Sequence, residues 1–199
     1  MGRKGDWACT GWDNGECTAT PYCPPRCPRF RDREAVPGLV RPQRPADVDA
    51  LVEMYLGLDP SDRTMGLPPA TETELRRWLG RFTEDGWSLV AEMGSTVVGH
   101  TGVTPGEAAA PHLVVFVADD AQGRGVGSEL LRQLVAYAAD HGHEALTLTV
   151  EADNTAAVTV YDNLGFDVVE RFRGELEMRL SLDEPVVGRV QRPPAEWEG

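Results

Sequence analysis

Asp119-Asp120-Ala121-Gln122-Gly123-Arg124-Gly125-Val126-Gly127-Ser128 decides how this chain is read. It lies between a continuous apolar run, His112 to Ala118, and a stretch from Gly125 to His141. In that stretch Val126, Leu130, Leu131, Leu134, Val135 and Ala138 recur at helical spacing. A strand therefore feeds a tight glycine turn that opens a helix. At such a junction several backbone N–H groups lack intrahelical partners and converge on one spot. The helix dipole adds partial positive charge there, and glycines remove the Cβ atoms that would keep a ligand away. A pyrophosphate is the natural guest, with Arg124 as an added charged contact. Two other glycine loops are excluded. No Gly-Lys-Ser/Thr follows, as a Walker loop requires, and the third glycine of the dinucleotide fingerprint would fall on Leu130. A purely structural strand-to-helix turn is the plain alternative.

A second stretch lies downstream, Asn154-Thr155-Ala156-Ala157-Val158-Thr159-Val160-Tyr161-Asp162-Asn163-Leu164-Gly165-Phe166. At about 100° per residue, Asn154 and Tyr161 are nearly two whole turns apart and share one helix face. Asn154 stands where an N-cap belongs. Tyr161 offers a phenol of pKa about 10, a proton donor at neutral pH. The plain reading is a tyrosine packed on a sheet, with Gly165 as an ordinary C-cap.

Together the two stretches resemble the signatures of the GNAT superfamily of N-acetyltransferases. Gln122-x-x-Gly125-x-Gly127 is similar to its Gln/Arg-x-x-Gly-x-Gly/Ala loop, and residues 154–166 to its Asn-x-x-Ala-x-x-(aliphatic)-Tyr-x-x-Leu-Gly-Phe motif. The resemblance spans about residues 38–182. Val117-Ala118-Asp119-Asp120-x-Gln122-Gly123-Arg124-Gly125 is similar to a stretch found in protein-lysine acetyltransferases. The resemblance implies an α+β fold with a mixed central sheet of about six to seven strands flanked by about four helices. It implies acetyl-CoA as co-substrate and a primary amine, on a protein or a small molecule, as acceptor. Gln122, Gly123, Arg124, Gly125, Val126, Gly127 and Ser128 would hold the pyrophosphate. Phe116 and Val117 would pair by backbone with the pantetheine arm, Asn154 would help position the cofactor, and Tyr161 would protonate the leaving thiolate.

One family feature is absent. Relatives often carry a glutamate base five residues before the motif asparagine, and here that position is Thr149. A lysine amine of pKa about 10.4 must lose a proton before it attacks. The candidates for that task are His112, whose ordinary pKa is near 6.5, Glu107 in the preceding turn, and Glu151. A non-catalytic acyl-CoA sensor and an interaction protein built on the same scaffold are the rival readings.

Working outward, Leu39-Val40-Arg41 reads as a strand. Ala46 to Leu56 reads as a helix, with Val48, Leu51, Val52, Tyr55 and Leu56 on one face. Thr71 with Glu74 forms a capping box that starts a second helix. Residues 59–69 form a Pro/Gly loop where the family places acceptor binding. Trp87–Met93 and Thr96–Val103 are strands around Gly94-Ser95, Leu146–Val150 is another, and 166–171 with 175–182 form a closing pair. The order β-α-α-β-β-β-α-β-α-β-β is α+β rather than doubly wound.

Residues 1–37, rich in Cys, Pro, Gly and Trp, show no period and read as a separate extension, with Val36-Pro37-Gly38 as linker. Its Cys9, Cys17, Cys23 and Cys27 are compatible with a structural zinc or with disulfides. Its arginines suit either domain packing or contact with nucleic acid or an acidic partner. Residues 183–199 are Pro- and charge-rich and read as a disordered tail.

Charge follows the same division. Residues 1–38 hold six Lys/Arg against five Asp/Glu, while 39–199 hold 13 against 27. So acidic a domain is unsuited to wrapping nucleic acid. Lys4 is the only lysine, a composition that fits either a halophilic proteome or a GC-rich genome. No apolar run is long enough to span a bilayer, and no export signal is visible, so a cytoplasmic location is expected. A homodimer is left open.

Overall fold

The computed structural model describes residues 20–23, 25–60, 68–183 and 185–191. Its architecture follows from strands whose two faces are both apolar. On β5 (His112–Val117), Leu113, Val115 and Val117 join one core layer, while Val114 and Phe116 join the other. On β3 (Trp87–Met93), Leu89 and Ala91 face the first layer and Val90 the second. Period-two alternation with apolar residues on both sides requires helices on both sides.

The sheet has eight strands. With β1 (Arg29–Arg31), β2 (Pro37–Pro42), β4 (Thr96–Thr104), β6 (Ala145–Glu151), β7 (Asp167–Phe172) and β8 (Glu175–Ser181), the order is β1-β2-β3-β4-β5-β6-β8-β7. Every neighbouring pair is antiparallel except β5 and β6. The sheet is therefore mixed, as an α+β fold of this kind demands.

Helices α1 (Val48–Leu56) and α2 (Glu72–Glu84) cover one face through Leu51, Tyr55, Leu75, Leu79 and Phe82. Half of the expected box starts α2: the Glu74 amide donates to Thr71 Oγ1 at 3.4 Å, while the Glu74 carboxylate accepts from that hydroxyl at 2.6 Å instead of from the Thr71 amide. Helix α3 (Val126–Asp140) lies on the other face with Leu130, Leu134 and Val135 fully buried. Side chains of this kind each contribute about 1.5–3 kcal/mol on burial. Helix α4 (Thr155–Leu164) starts at Asn154 and ends at Gly165, whose φ of +91° is the left-handed C-cap that glycine permits. No helix among the described residues is long and apolar enough to cross a membrane.

Residues 29–38 and 185–191 differ from expectation, while 1–19 and 192–199 lie outside the described residues. Pro37 and Gly38 are not a linker but open β2, and β1 adds a strand beyond it, pairing Phe30 with Gly38. The Phe30 ring lies where a side chain at Gly38 would begin, so only glycine fits beneath it. Residues 185–191 form helix α5 (Pro185–Gln191), which lies against α3 and buries Val187 and Val190 in the main core. These elements raise the count among the described residues to eight strands and five helices.

Arg26 fastens the two ends together. It is 1% exposed and forks onto Glu129 of α3, with Nε to Oε1 at 3.0 Å and Nη2 to Oε2 at 3.2 Å. Its remaining terminal nitrogen donates to the Val190 carbonyl of α5. Domain packing is thus what Arg26 does. Of the four cysteines, Cys9 and Cys17 lie outside the described residues. Cys23 and Cys27 are half-buried, with Cys23 Sγ 3.3 Å from Thr20 Oγ1 and the Cys27 carbonyl bonded by Gln133. Among the described residues no group of three or more His, Cys, Asp or Glu side chains is arranged to hold a metal ion.

Candidate active site

Strand β5 is paired along one edge and left open along the other. Against β4 it keeps register from Thr104↔His112 to Gly99↔Val117. Against β6 it makes a single pair, His112↔Thr147. Beyond that pair the strands part, and Leu113 to Val117 on one side and Leu148 to Val150 on the other line a cleft of about 1270 Å³. A strand edge without a strand partner is a row of backbone donors and acceptors ready for an extended ligand.

The glycine loop closes the end of this seam. Gly123 and Gly125 have φ of +68° and +91°, a region that side chains rarely adopt. A Cβ at Gly123 would meet nothing, and one at Gly127 would touch Val117 Cγ2 at 3.4 Å. Gln122 ties the loop to β5, donating from Nε2 to the Val117 carbonyl at 3.3 Å. The first α3 turn offers amides with no helical acceptor. An open strand edge running into a side-chain-free amide cradle fits a pantetheine arm ending in a pyrophosphate.

Most of the expected residues meet at this cleft. Phe116, Val117, Gln122, Gly123, Gly125, Gly127, Ser128, Asn154, Tyr161 and His112 all line it, as does Thr149. Three do not. The Val126 side chain is buried in the core at 1% exposure, which leaves only its backbone for a ligand. Glu107 is exposed in the β4–β5 turn and is not among the lining residues. Arg124 is turned away. Its Nε and Nη2 lie 2.7 and 2.5 Å from Asp32 Oδ2, and Nη2 is 3.3 Å from Glu34.

The titratable groups are tuned by burial. Tyr161 is 8% exposed, no described residue hydrogen-bonds its hydroxyl, and burial pushes its pKa up to about 12. It is a fully protonated phenol at neutral pH. His112 is half-buried, with Nδ1 3.5 Å from Thr147 Oγ1. Burial lowers its pKa, partly offset by Glu177, so the imidazole is neutral at pH 7. Asn154 caps α4, its Oδ1 accepting from the Ala157 amide at 3.1 Å.

The charges at the cleft are one-sided. Arg26, Arg33, Arg132 and Arg189 line it, and no Asp or Glu among the described residues does. Arg26 and Arg132 are paired with Glu129 behind the wall, so the charge offered to an anion comes from Arg33 and Arg189, which pair with no carboxylate among the described residues. Arg33 and Arg189 were invisible to sequence reasoning because they sit in end segments without periodicity. Arg132 could have been found one turn after Ser128, on the same face of α3.

Residues 50–166 match the model of the acetyltransferase (GNAT) family. Among curated relatives, an uncharacterized N-acetyltransferase of Methanocaldococcus jannaschii is 32% identical over 110 residues, 51% of this chain and 48% of the relative. A mycothiol acetyltransferase of Amycolatopsis mediterranei is 34% identical over 131 residues, 60% of this chain and 42% of the relative. The chain thus spans about half the length of the curated relatives it matches. A Salmonella typhimurium protein described as an acetyltransferase, solved with its cofactor acetyl-CoA, shares the fold with a TM-score of 0.60. It is 23% identical and covers 74% of this chain and 95% of its own.

Proposed function

The chain belongs to the acetyltransferase (GNAT) family, and on that premise we propose that it moves an acetyl group from acetyl-CoA to a primary amine. The observation that carries this reading is the one-sided pairing of β5, whose open edge leads into the glycine cradle. Acetyl-CoA supplies the acetyl group as an activated thioester. Backbone amides of the 122–128 loop bind its pyrophosphate, the free edge at Phe116 and Val117 orients its pantetheine arm, and Asn154 flanks it. Tyr161, kept protonated by burial, gives its proton to the departing sulfur. His112, kept neutral by burial, takes a proton from the acceptor ammonium.

The mycothiol acetyltransferase among the relatives brings mycothiol precursors into the acceptor screen, beside lysine peptides, N-terminal peptides and polyamines. A second reading, an acyl-CoA sensor without turnover, is favoured by one feature. Thr149 stands where relatives carry a glutamate, and no carboxylate lines the cleft among the described residues.

Calorimetric titration with acetyl-CoA tests the reading. Micromolar binding is expected, lost when Gly125 and Gly127 are both replaced by valine. A folded protein that does not bind acetyl-CoA would sink both readings. Binding without transfer to any amine in the screen would leave the sensor.

A further inference from the structure

We propose that Arg33, on the turn ahead of β2, is the cation that holds the cofactor's pyrophosphate, in the role the sequence assigned to Arg124. The inference rests on the acetyl-CoA reading above and concerns which residue of this chain meets the phosphates.

Two arginines stand beside the glycine loop, and their partners differ. All three guanidinium nitrogens of Arg124 are committed to protein. Nε and Nη2 bond Asp32 Oδ2, and Nη1 donates to the Asp120 carbonyl at 3.2 Å. The other oxygen of Asp32 accepts from the Glu34 and Val36 amides at 3.0 and 2.7 Å. The Asp32 side chain is fully buried, so turning Arg124 toward a ligand would leave a buried carboxylate without its cation, which is strongly unfavourable. Arg124 is therefore a positioning residue that locks the 32–36 turn.

Arg33 is held in the opposite sense. Its amide donates to the Arg124 carbonyl at 2.9 Å, and its Nη1 donates to the Gly123 carbonyl at 2.9 Å. These two bonds set its side chain along the loop. Its Cγ and Nε lie 3.9 and 4.0 Å from where a Gly125 side chain would begin. Arg33 is exposed, lines the cleft, and pairs with no carboxylate among the described residues. A guanidinium fixed at one nitrogen, with its other donors unspent beside converging amides, matches the fork geometry that phosphate oxygens take. The segment that supplies it lies outside residues 50–166, the part that matches the family.

The test is calorimetric titration of the full chain with CoA and with 3′-dephospho-CoA, which keeps the pyrophosphate. Arg33→Gln should weaken both by about tenfold, the loss of a charge-assisted hydrogen bond. Arg33 is exposed, so the variant should melt like the parent. Arg124→Gln should also weaken binding, but only while Arg33 is present. In the Arg33→Gln background it should add nothing, since it acts through the turn that carries Arg33. Parent-like affinity in Arg33→Gln would overturn the proposal. So would a loss confined to CoA, which places Arg33 on the 3′-phosphate, and so would an Arg124→Gln loss of the same size in both backgrounds. A parent that binds neither ligand fails at the earlier step, the acetyl-CoA reading itself.

Discussion

Residues 39–182 and the described segments on either side of them are built by different means. In the central part each element carries its own instruction, such as the spacing of Leu130, Leu131, Leu134 and Val135 in α3 or the Thr71 cap of α2. In the outer segments almost nothing is local. Strand β1 is three residues long, α5 is seven, and both are held by what they touch: Phe30 over Gly38, Val187 and Val190 in the core, and Arg26 between Glu129 and Val190. Yet both segments put arginines into the cleft. Fold-bearing and ligand-bearing residues therefore need not come from the same part of the chain.

This contrast can be broken most sharply at Arg26. Arg26→Ala leaves the buried Glu129 with only the half-exposed Arg132, 3.5 Å from Oε2, and should cost about 3 kcal/mol in denaturant unfolding. Because Glu129 is in α3, centre and ends should lose stability together. A cost near zero would mean that the ends are merely appended. Tyr161→Phe probes the centre alone. Turnover with whichever amine the screen returns should fall by about a hundredfold, while acetyl-CoA affinity stays as in the parent. Gly38→Val forces the Phe30 ring out of its place. A loss of about 1–3 kcal/mol is expected for such overpacking, read as a lower melting temperature with cofactor binding intact.

The smallest effect is acid loosening of the 32–36 turn. Burial alone would raise the Asp32 pKa, but hydrogen bonds from the Val36 amide and Arg124 outweigh it and hold the carboxyl below its ordinary value. A depressed carboxyl contributes stability that is fully present above the unfolded value near 3.8 and lost as pH falls through the lower folded value. Protection of the Glu34 and Val36 amides from hydrogen exchange should accordingly hold at pH 5 and drop only well into the acid range. In Asp32→Asn that acid-dependent drop should vanish.

What could be read in advance follows the same line. The 122–128 loop, the Asn154 cap and the Gly165 stop are encoded by neighbours within one or two turns, and the structure has all three. Tyr161 and His112 reach the cleft because period and register already fixed their faces. Glu107 was placed from its position in the sequence alone, and a turn residue has no period to say where its side chain goes. The Arg124 side chain differs for another reason. It has the right position, but its charge is taken by Asp32, ninety-two residues earlier, and no local pattern reports a partner so distant. Val187 and Val190 were legible in principle, three residues apart as on a helix face, but the surrounding proline and charge hid them.

The Arg26 bond to the Val190 carbonyl joins positions 164 residues apart. During synthesis Arg26 leaves the ribosome first and waits, since Glu129 follows 103 residues later and Val190 follows 164 residues later. The cleft wall shared by Arg26, Arg189 and Val190 is therefore finished last, after the sheet and the glycine loop already exist. A released chain truncated shortly before residue 185 would have the seam and the loop but lack this closing wall.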